Sequence, residues 1–399
     1  MSDAAIACIG IGTACGFGYG KEALTAGLSD GRNVFGVLKR DGREPIDGFP
    51  LLGVEMPDPP RILSARDARS TGLSGQVALA VLQEAWTDAG LEAYPSDKIG
   101  LIVAGSNLQT RDQFLRLQQY SGPDVVMVPP RAGYTFFDTD IASLCAEHFG
   151  IEGLQYTVGG ASASGAMAVH QAVHAVQSGQ VDTCIALAPV QDLGAPDLYA
   201  LRNLGAMGSD RFADTPEQAC RPFDAQRDGF LFGEMAAALV FARVKEGRRG
   251  YGTVAGLGCA FAAKRGPEPS AEKERDAINT AFGNAGTNGV DLIVAHATAT
   301  ARGDDVEAGV LKDMGLNDAL ITAPKSAIGH GISAAGAMEI AIGFLQMENG
   351  CAYPIRNLEH PIEPDLNFVT GSVHHASIES VLALSFGFGG INYATVLKR

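Results

Sequence analysis

The sequence is poor in several features that would each define a class of protein. No apolar run reaches the roughly 20 residues that a membrane-spanning helix needs. The first residues, MSDAAIACIGIG, lack a basic segment followed by an apolar one, so we expect no secretory signal. The seven cysteines have no paired spacing, which favours reduced thiols and a cytoplasmic protein. No CxxC or HExxH spacing occurs, so we expect no metal site.

Positive charge is also scarce. Lys and Arg total 30 against 45 Asp and Glu, and the formal net charge of −15 opposes nucleic acid and anionic membranes as partners. An acidic partner would need a local basic patch, which the segment RILSARDARSTG offers through Arg61, Arg66 and Arg69. A solvated helix start explains these arginines equally well. The glycines of GIGTACGFGYG do not fall in the GxGxxG register, so we predict no dinucleotide site.

The remaining pattern is that of an α/β protein. Buried strands are predicted wherever apolar runs end in glycine turns, and one amphipathic helix is predicted at 76–89. We expect loops at 28–60 and 189–234 and an irregular segment at 108–150, which could form a pocket wall or a subunit contact. The clearest strands are predicted at 6–11, 99–104, 154–158, 182–188, 235–242, 252–259 and 292–295.

Residues 154–188 form the most informative stretch. A strand, LQYTV, runs into the small-residue turn GGASASG, and a helix follows from about Ser164 until Gly179 stops it. A strand, a sharp turn and a buried helix would lift Ser162 to a helix N-terminus, where a developing negative charge is favoured. A tightly packed turn without chemistry is the alternative.

An internal repeat divides the chain. The stretch Ser162–Met167 (SASGAM) opens one helix and Ser333–Met338 (SAAGAM) opens another, and each half begins with a glycine-punctuated strand. We therefore predict a duplicated architecture with halves at 1–250 and 251–399, joined at the charged hinge KEGRRG. The small residues of the two helices suggest that these pack closely at the centre of the molecule.

Two histidines share the sequence context of Ser162. His296 follows a strand end in VAHATAT, and His330 lies in the glycine turn IGHG before the second repeat helix. Neutral imidazoles at such places can donate hydrogen bonds to one carbonyl oxygen or exchange protons with a substrate. Lys325 and Glu339 flank His330 along the chain. We interpret the other histidines as core or surface residues: His148, His170, His174, His360, His374 and His375.

Taken together, RPFDAQRDGFLFGE, HATATARGD, KSAIGHGISAAGAME and SFGFGGIN resemble the motifs of the β-ketoacyl-acyl carrier protein synthases of the thiolase superfamily, along essentially the whole chain. The resemblance implies a five-layered αβαβα fold, a homodimer, and a substrate carried on the phosphopantetheine arm of acyl carrier protein, with no other cofactor. It also implies the site residues: catalytic His296 and His330, supporting Lys325 and Glu339, Phe388 and Gly389 of the gating turn, and Arg66 and Arg69 for carrier docking. Arg302 and Ala301 depart from the usual motif, whereas Asp304 matches it.

Ser162 is the departure that matters, because elongating members have cysteine there. Condensation needs a thiolate, and a serine hydroxyl would need a general base, yet no Ser-His-Asp arrangement is evident in the sequence. Decarboxylation of a malonyl thioester needs only the histidines. The combination resembles the serine-bearing ketosynthases of polyketide β-branching cassettes, which convert malonyl-carrier protein into acetyl-carrier protein.

Three alternatives remain open at this point. The chain could be an elongating synthase whose cysteine was replaced by engineering, which the natural coding sequence at position 162 would decide. It could transfer acyl groups through Ser162, or be a non-catalytic partner subunit like a chain-length factor, although the kept histidines, Lys325 and the GFGG turn oppose the last. A decarboxylase needs no deep acyl pocket, and we expect bulky residues to fill it: Phe114, Phe136, Phe137 and Met207.

Overall fold

A computed structural model of the chain describes residues 5–46, 48–244 and 250–399. The predicted hinge KEGRRG falls almost wholly on residues 245–249, which lie outside the described residues. Within the described ranges, every helix is too short or too polar to cross a membrane.

Ten strands form the main path of one large sheet, and the two-residue strand Gly18–Tyr19 pairs with the first of them. Most of their residues are buried, as expected for a sheet covered on both faces, although the edge strand at 155–158 has no buried residue and the strand at 252–261 has only three. The ten are β1 (Ile6–Cys15), β2 (Ile99–Ala104), β3 (Gln155–Val158), β4 (Thr183–Ala188), β5 (Ala236–Arg243), β6 (Gly252–Phe261), β7 (Leu292–Val294), β8 (Leu320–Thr322), β9 (Ser380–Gly387) and β10 (Ile391–Lys398).

The strand order confirms the predicted duplication. The first half is ordered β3-β2-β4-β5-β1 and the second β8-β7-β9-β10-β6, so each strand has a counterpart at the same place. The pattern of parallel and antiparallel pairs is also the same in the two halves. The halves join where β1 pairs with β6 in antiparallel register, Ile6 facing Val254.

The helices complete five layers. Helices α6 (Ser164–Gln177) and α11 (Ala335–Asn349) pack against each other between the two half-sheets. Helices α3 (Leu73–Ala89) and α5 (Thr139–Phe149) cover the outer face of the first half-sheet. Helices α8 (Ala271–Ala285) and α9 (Ala301–Asp313) cover the outer face of the second. This arrangement is the predicted αβαβα fold. The helices are α1 (Lys21–Ser29), α2 (Ala65–Ala68), α3 (Leu73–Ala89), α4 (Thr110–Gln119), α5 (Thr139–Phe149), α6 (Ser164–Gln177), α7 (Ala195–Asn203), α8 (Ala271–Ala285), α9 (Ala301–Asp313), α10 (Lys325–Ile328) and α11 (Ala335–Asn349).

The two central helices approach each other through one glycine apiece. A Cβ added to Gly165 would lie 2.4 Å from the backbone nitrogen of Ala337, and one added to Gly336 would lie 2.8 Å from that of Ala166. Contacts this short leave no room for a side chain, so the small residues of the repeat are required by backbone-to-backbone packing.

Two sequence expectations about loops are wrong. The segment 108–150 contains helices α4 and α5 besides short 3₁₀ turns, and α7 interrupts the loop expected at 189–234. The glycine-rich segment 28–60 also includes two short strands, Gly36–Val37 and Leu52–Val54. By contrast, α3 covers the predicted helix at 76–89 and begins three residues earlier.

Candidate active site

Ser162 is held at the tight turn that the sequence predicted. Strand β3 ends at Val158, a single 3₁₀ turn covers Ala161–Ala163, and α6 begins at Ser164. Ala161 has a φ of 49°, a left-handed conformation that costs a non-glycine residue about 1–3 kcal/mol and is typical of functional turns. The turn leaves the Ser162 side chain 8% exposed, facing a cavity.

The Ser162 hydroxyl contacts one of the two predicted histidines. Its Oγ lies 2.9 Å from Nε2 of His330. The other ring nitrogen of His330, Nδ1, is buried and has no hydrogen-bond partner among the described residues. The site therefore contains a serine–histidine pair that was not predicted from the sequence, but among the described residues no carboxylate lies behind the histidine to complete a triad.

His296 is held by Lys325. The Lys325 ammonium donates to the His296 carbonyl oxygen and to Oε1 of Glu339, and lies 3.3 Å from Nδ1 of His296. An ammonium can only donate, so Nδ1 accepts and the ring proton of His296 is assigned to Nε2. The predicted supporting pair thus fixes the tautomer of His296. The imidazole rings of His296 and His330 lie 5.8 Å apart, nearly perpendicular.

Both histidines are neutral at physiological pH. Burial lowers the pKa of His296 well below its usual 6.5, and the nearby Lys325 charge lowers it further. Burial and then Lys325 do the same to the pKa of His330. Burial also raises the pKa of the Glu339 carboxyl to about 8, although Lys325 opposes this rise. Neutral imidazoles keep an N–H to donate and a lone pair to accept.

Two carboxylates that the sequence analysis gave no catalytic role hold the His296 loop. Glu307 accepts hydrogen bonds of 2.7 Å from the backbone N–H groups of His296 and Ala297, and Asp304 accepts one of 3.0 Å from that of Ala299. Ala297 and Ala299 have positive φ values of 32° and 63°, so the carboxylates stabilise a strained loop. The signal that could have revealed them is the i, i+3 spacing of two acidic residues near the start of the helix that follows the histidine, eight and eleven residues past it.

The gating turn predicted at Phe388 and Gly389 lies against the Ser162 turn. A Cβ on Gly387 would lie 2.4 Å from the Gly160 carbonyl oxygen, so the two turns are in backbone contact. Phe388 is 36% exposed and lines the cavity with both histidines. Gly389 has a φ of 87°, which favours glycine, and its N–H donates to the Gly266 carbonyl. The cavity measures about 120 Å³.

The other predicted residues lie elsewhere. Arg66 and Arg69 are exposed, the first on α2 and the second just after it, and α2 has no buried residue. His170 is a satisfied core residue whose Nε2 lies 3.0 Å from Thr395 Oγ1. The remaining five non-catalytic histidines are exposed. The expectation that aromatic residues fill an acyl pocket is wrong for Phe136 and Phe137, which are 69% and 66% exposed.

Comparison of the sequence with protein-family profiles shows the family to which the chain belongs. The profile of the β-ketoacyl synthase N-terminal domain matches residues 3–247, and that of the C-terminal domain matches residues 251–359. The chain therefore belongs to the β-ketoacyl synthase family and has its thiolase-like fold. That the two halves are divided near residue 250 stays a prediction.

Individual relatives span the whole chain. The polyketide biosynthesis malonyl-ACP decarboxylase PksF of Bacillus subtilis (strain 168) is 41% identical over 396 residues, which cover 98% of this chain and 95% of the relative. The 3-oxoacyl-acyl-carrier-protein synthase 1 of Haemophilus influenzae is 28% identical over 404 residues, 98% of either chain. A crystal structure of a β-ketoacyl synthase from Burkholderia phymatum STM815 superposes with a TM-score of 0.88 at 25% identity, covering 99% of both chains.

Proposed function

We propose that this ketosynthase decarboxylates malonyl-acyl carrier protein to acetyl-acyl carrier protein in polyketide biosynthesis. The observation that carries the proposal is a site with both neutral histidines in place and a hydroxyl where condensation needs a thiolate. The name of the 41% identical Bacillus subtilis relative supports the same reaction. The substrate arrives on the phosphopantetheine arm of the carrier protein, so the enzyme itself needs no cofactor.

Decarboxylation follows from the two imidazoles. The bond between the malonyl carboxylate and Cα breaks, carbon dioxide leaves, and the electron pair moves onto the thioester as an enolate. His296 donates its Nε2–H to the enolate oxygen because Lys325 holds Nδ1 as an acceptor. His330 also donates from Nε2. We assign its proton to Nε2 because the buried Nδ1 has no partner, and an unpaired lone pair there costs less than an unpaired N–H. A proton taken up from solvent at Cα then gives the acetyl thioester.

Burial strengthens both donors. His296 and His330 are 7% and 3% exposed, so little water competes for the enolate oxygen. The hydrogen bonds that Glu307 and Asp304 accept hold the His296 loop in place, so the Nε2–H of His296 is already oriented before negative charge develops on the substrate. Because no step requires an acyl group on residue 162, the proposed reaction proceeds without an acyl primer.

Acyl transfer through Ser162 is a second candidate, favoured by one observation. The 2.9 Å contact with His330 Nε2 places a base within reach of the hydroxyl. With no described partner at Nδ1, however, nothing orients the imidazole as a carboxylate does in a triad. We therefore rank acyl transfer second.

One experiment separates the two candidates. Purified protein is incubated with malonyl-carrier protein without an acyl primer, and the intact mass of the carrier protein is followed. The loss of carbon dioxide is expected, and Ser162→Ala should keep most of this activity because the hydroxyl binds none of the enolate charge. Persistence of the malonyl group while an added primer is elongated would sink the decarboxylase proposal. An acyl ester on Ser162, with an inactive Ser162→Ala variant, would establish acyl transfer instead.

We also propose that the enzyme is a homodimer. Strand β3 lies at the end of the sheet with one edge unpaired among the described residues, and such edges readily accept another strand. The neighbouring segment 117–137 exposes a set of large apolar side chains that a subunit contact would cover. They are Leu117, Val125, Val126, Met127, Val128, Tyr134, Phe136 and Phe137. Light scattering on the pure chain should give twice the chain mass; a monomer, or a complex found only with a second ketosynthase subunit, would contradict it.

A cytoplasmic location is part of the same proposal. All seven cysteines lie within the described residues as free thiols, six of them buried, which suits a reducing compartment. Cell fractionation tests this, and recovery in a secreted fraction would contradict it.

A further inference from the structure

The segment 230–233 holds the His330 turn in place. The backbone N–H of His330 donates to the Leu231 carbonyl oxygen at 2.7 Å, and the His330 carbonyl oxygen accepts from the N–H of Gly233 at 3.1 Å. The ring of Phe230 packs edge-on against the imidazole, with the ring centroids 5.1 Å apart. The buried Nδ1 has no partner among the described residues, so no side chain behind the ring fixes it, and its position depends on this segment.

Glu234 anchors the same segment on its other side. Phe232 and Gly233 form a strand of only two residues, which pairs with Leu52–Val54. The next residue, Glu234, is fully buried, and its Oε2 accepts a hydrogen bond of 2.8 Å from the backbone N–H of Met56. Because so short a strand forms few ladder hydrogen bonds, the contacts of the Glu234 side chain supply much of what holds it.

Two arginines bind the Glu234 carboxylate. Arg40 forms a bidentate pair with it, with Nε 3.0 Å from Oε1 and Nη2 2.9 Å from Oε2. Nη1 of Arg43 donates to Oε1 at 2.6 Å, and Nη2 of Arg43 donates to the buried Asp192 at 2.9 Å. The Arg43 guanidinium also lies 4.9 Å from the centroid of the Phe232 ring. Charge-assisted bonds of this kind fix both the position and the orientation of the carboxylate.

These three residues, Arg40, Arg43 and Glu234, form a buried and ionised group that we call the Glu234 network. Burial opposes ionisation of Glu234, but the charges of Arg43 and Arg40 outweigh it and hold the pKa of the carboxyl below its usual 4.5. Loss of one partner would leave a buried charge unpaired, which favours a single arrangement of the network. None of the three residues lines the cavity that contains the histidines.

We propose that Glu234, held by Arg40 and Arg43, is a positioning residue that acts on the reaction through His330. The inference rests on the proposed decarboxylation, because it assigns to the network the alignment of one of the two enolate donors. The contacts run from the arginines to Glu234, along the two-residue strand to the backbone of His330, and end at Nε2. A displacement of about 1 Å at a reacting group can cost on the order of 100-fold in rate.

Glu234→Gln tests this chain of contacts, because it preserves the size of the side chain and removes its charge. The kcat for malonyl-carrier protein should fall by about tenfold, with KM little changed, since the network does not line the substrate cavity. In a His330→Ala background the same change should slow the reaction no further, because the group that it positions is absent. A further loss of about tenfold in that background would indicate a general structural defect and overturn the proposal.

Glu84→Gln on α3 is the matched control. Glu84 also accepts backbone hydrogen bonds, from Thr13 and Lys21, and pairs with the Lys21 ammonium, but it does not line the cavity that contains the histidines. Its kcat should be unchanged.

Arg40→Gln is a milder variant at the edge of the network, where the arginine side chain is 19% exposed. It should lower kcat by about threefold, and it replaces Glu234→Gln in the comparison with His330→Ala if that variant does not fold. A normal kcat in folded Arg40→Gln and Glu234→Gln would overturn the proposal.

A further measurement does not involve decarboxylation. In Ser162→Cys a thiol replaces the hydroxyl that lies 2.9 Å from Nε2 of His330, and an N–H there would stabilise the thiolate. The rate of alkylation by iodoacetamide at neutral pH, read from the mass of the peptide containing residue 162, therefore reports the position of His330. Adding Glu234→Gln should lower this rate by about threefold or more, and adding Glu84→Gln should not.

The alkylation assay separates this inference from the proposed function. If alkylation depends on Glu234 but malonyl-carrier protein is not decarboxylated, only the proposed function is rejected. If alkylation of Ser162→Cys is equally fast with and without Glu234→Gln, the positioning role is rejected, whatever the enzyme does to malonyl groups.

Discussion

At the level of single residues, His296 and His330 differ in what lies behind them. Lys325 fixes the first, whereas the second has only the Ser162 hydroxyl in front and no described partner behind. In the proposed reaction each nonetheless supplies one donor to the enolate oxygen, and loss of such a donor costs about 2.7–4 kcal/mol.

We therefore expect His296→Ala and His330→Ala each to slow decarboxylation by roughly a hundredfold or more. The rate of carbon dioxide release from malonyl-carrier protein measures this. His374→Ala, which removes an exposed histidine, is the control and should be unchanged. Near-normal turnover of either catalytic-site variant would remove that histidine from the mechanism.

Glu274 on α8 is a buried acid without a chemical role in the proposed reaction. It is 1% exposed, and its Oε2 has no partner among the described residues. Burial, and then the neighbouring Glu307 charge, raises the pKa of Glu274 from 4.5 to about 9. The folded protein therefore keeps a proton that the unfolded chain releases above pH 4.5, so the free energy of unfolding falls as the pH rises from there towards 9.

Glu274→Gln should remove this decrease of the free energy of unfolding with rising pH, because glutamine carries no ionisable proton. We expect the variant to exceed the unmodified protein in free energy of unfolding by about 1–3 kcal/mol at pH 8, and the difference to vanish near pH 4. Urea titrations at the two pH values measure both. Glu272→Gln, two residues earlier and 76% exposed, should show no comparable pH dependence. A constant difference for Glu274→Gln at both pH values would contradict the assigned protonation.

At the level of elements, the contact between α6 and α11 depends on Gly165 and Gly336. Because a Cβ on either would meet the opposing backbone, Gly165→Ala and Gly336→Ala should each destabilise the protein by about 1–3 kcal/mol or more. Gly283→Ala within α8 is the matched control, since nothing lies within 4 Å of the added atom, and it should stabilise by about 0.4–1 kcal/mol. Thermal unfolding measures all three; a harmless Gly165→Ala would mean that the helices can separate freely.

The elements that the sequence predicted correctly are those with an unambiguous pattern. The buried strands and the Ser162 turn follow from apolar runs that end in glycine, and the repeat was visible because both central helices need the same small residues. Helix α4 could not be predicted from apolar periodicity, because none of its residues is buried. Helix α5 could have been: Ile141, Ala142 and Cys145 recur on one face, but the prolines before them suggested a loop.

The residues of the candidate site were predicted from motifs, and their catalytic role stays a prediction, whereas their contacts required the three-dimensional structure. Ser162 and His330 are 168 residues apart in the chain, and the two glycine turns that carry them meet only once both halves have folded. The sequence could not predict that Nδ1 of His330 lacks a hydrogen-bond partner among the described residues, because this depends on which groups the fold brings next to it.

At the level of the whole molecule, a net charge of −15 repels an acidic carrier protein unless a basic patch receives it. Arg66 and Arg69 are exposed, and Asp67 between them is already engaged by Ser64 and by Arg131 at 3.4 Å. The two arginines therefore remain open to another acidic group, and their docking role stays a prediction.

Reversing both charges, Arg66→Glu with Arg69→Glu, should raise the KM for carrier-bound malonyl groups by about tenfold and leave a small malonyl thioester little affected. Steady-state kinetics with both substrates, repeated at high salt, measures the effect, and salt should shrink it. Arg399→Glu, at an exposed arginine just past the end of β10 that lies away from the gating turn, is the control. An equal loss with both substrates would indicate a folding defect and not a docking site.

The strained turn before α6 occurs a second time before α11, although the proposed reaction uses only one of the two turns. Ile332 precedes Ser333 with a φ of 51°, just as Ala161 precedes Ser162 with a φ of 49°, so the second half retains the strained geometry of the first. Only the first copy faces both imidazoles. In the second half the same turn buries its serine, and the Ser333 hydroxyl has no hydrogen-bond partner among the described residues, so there the turn holds the backbone without presenting its hydroxyl to the cavity that contains the histidines.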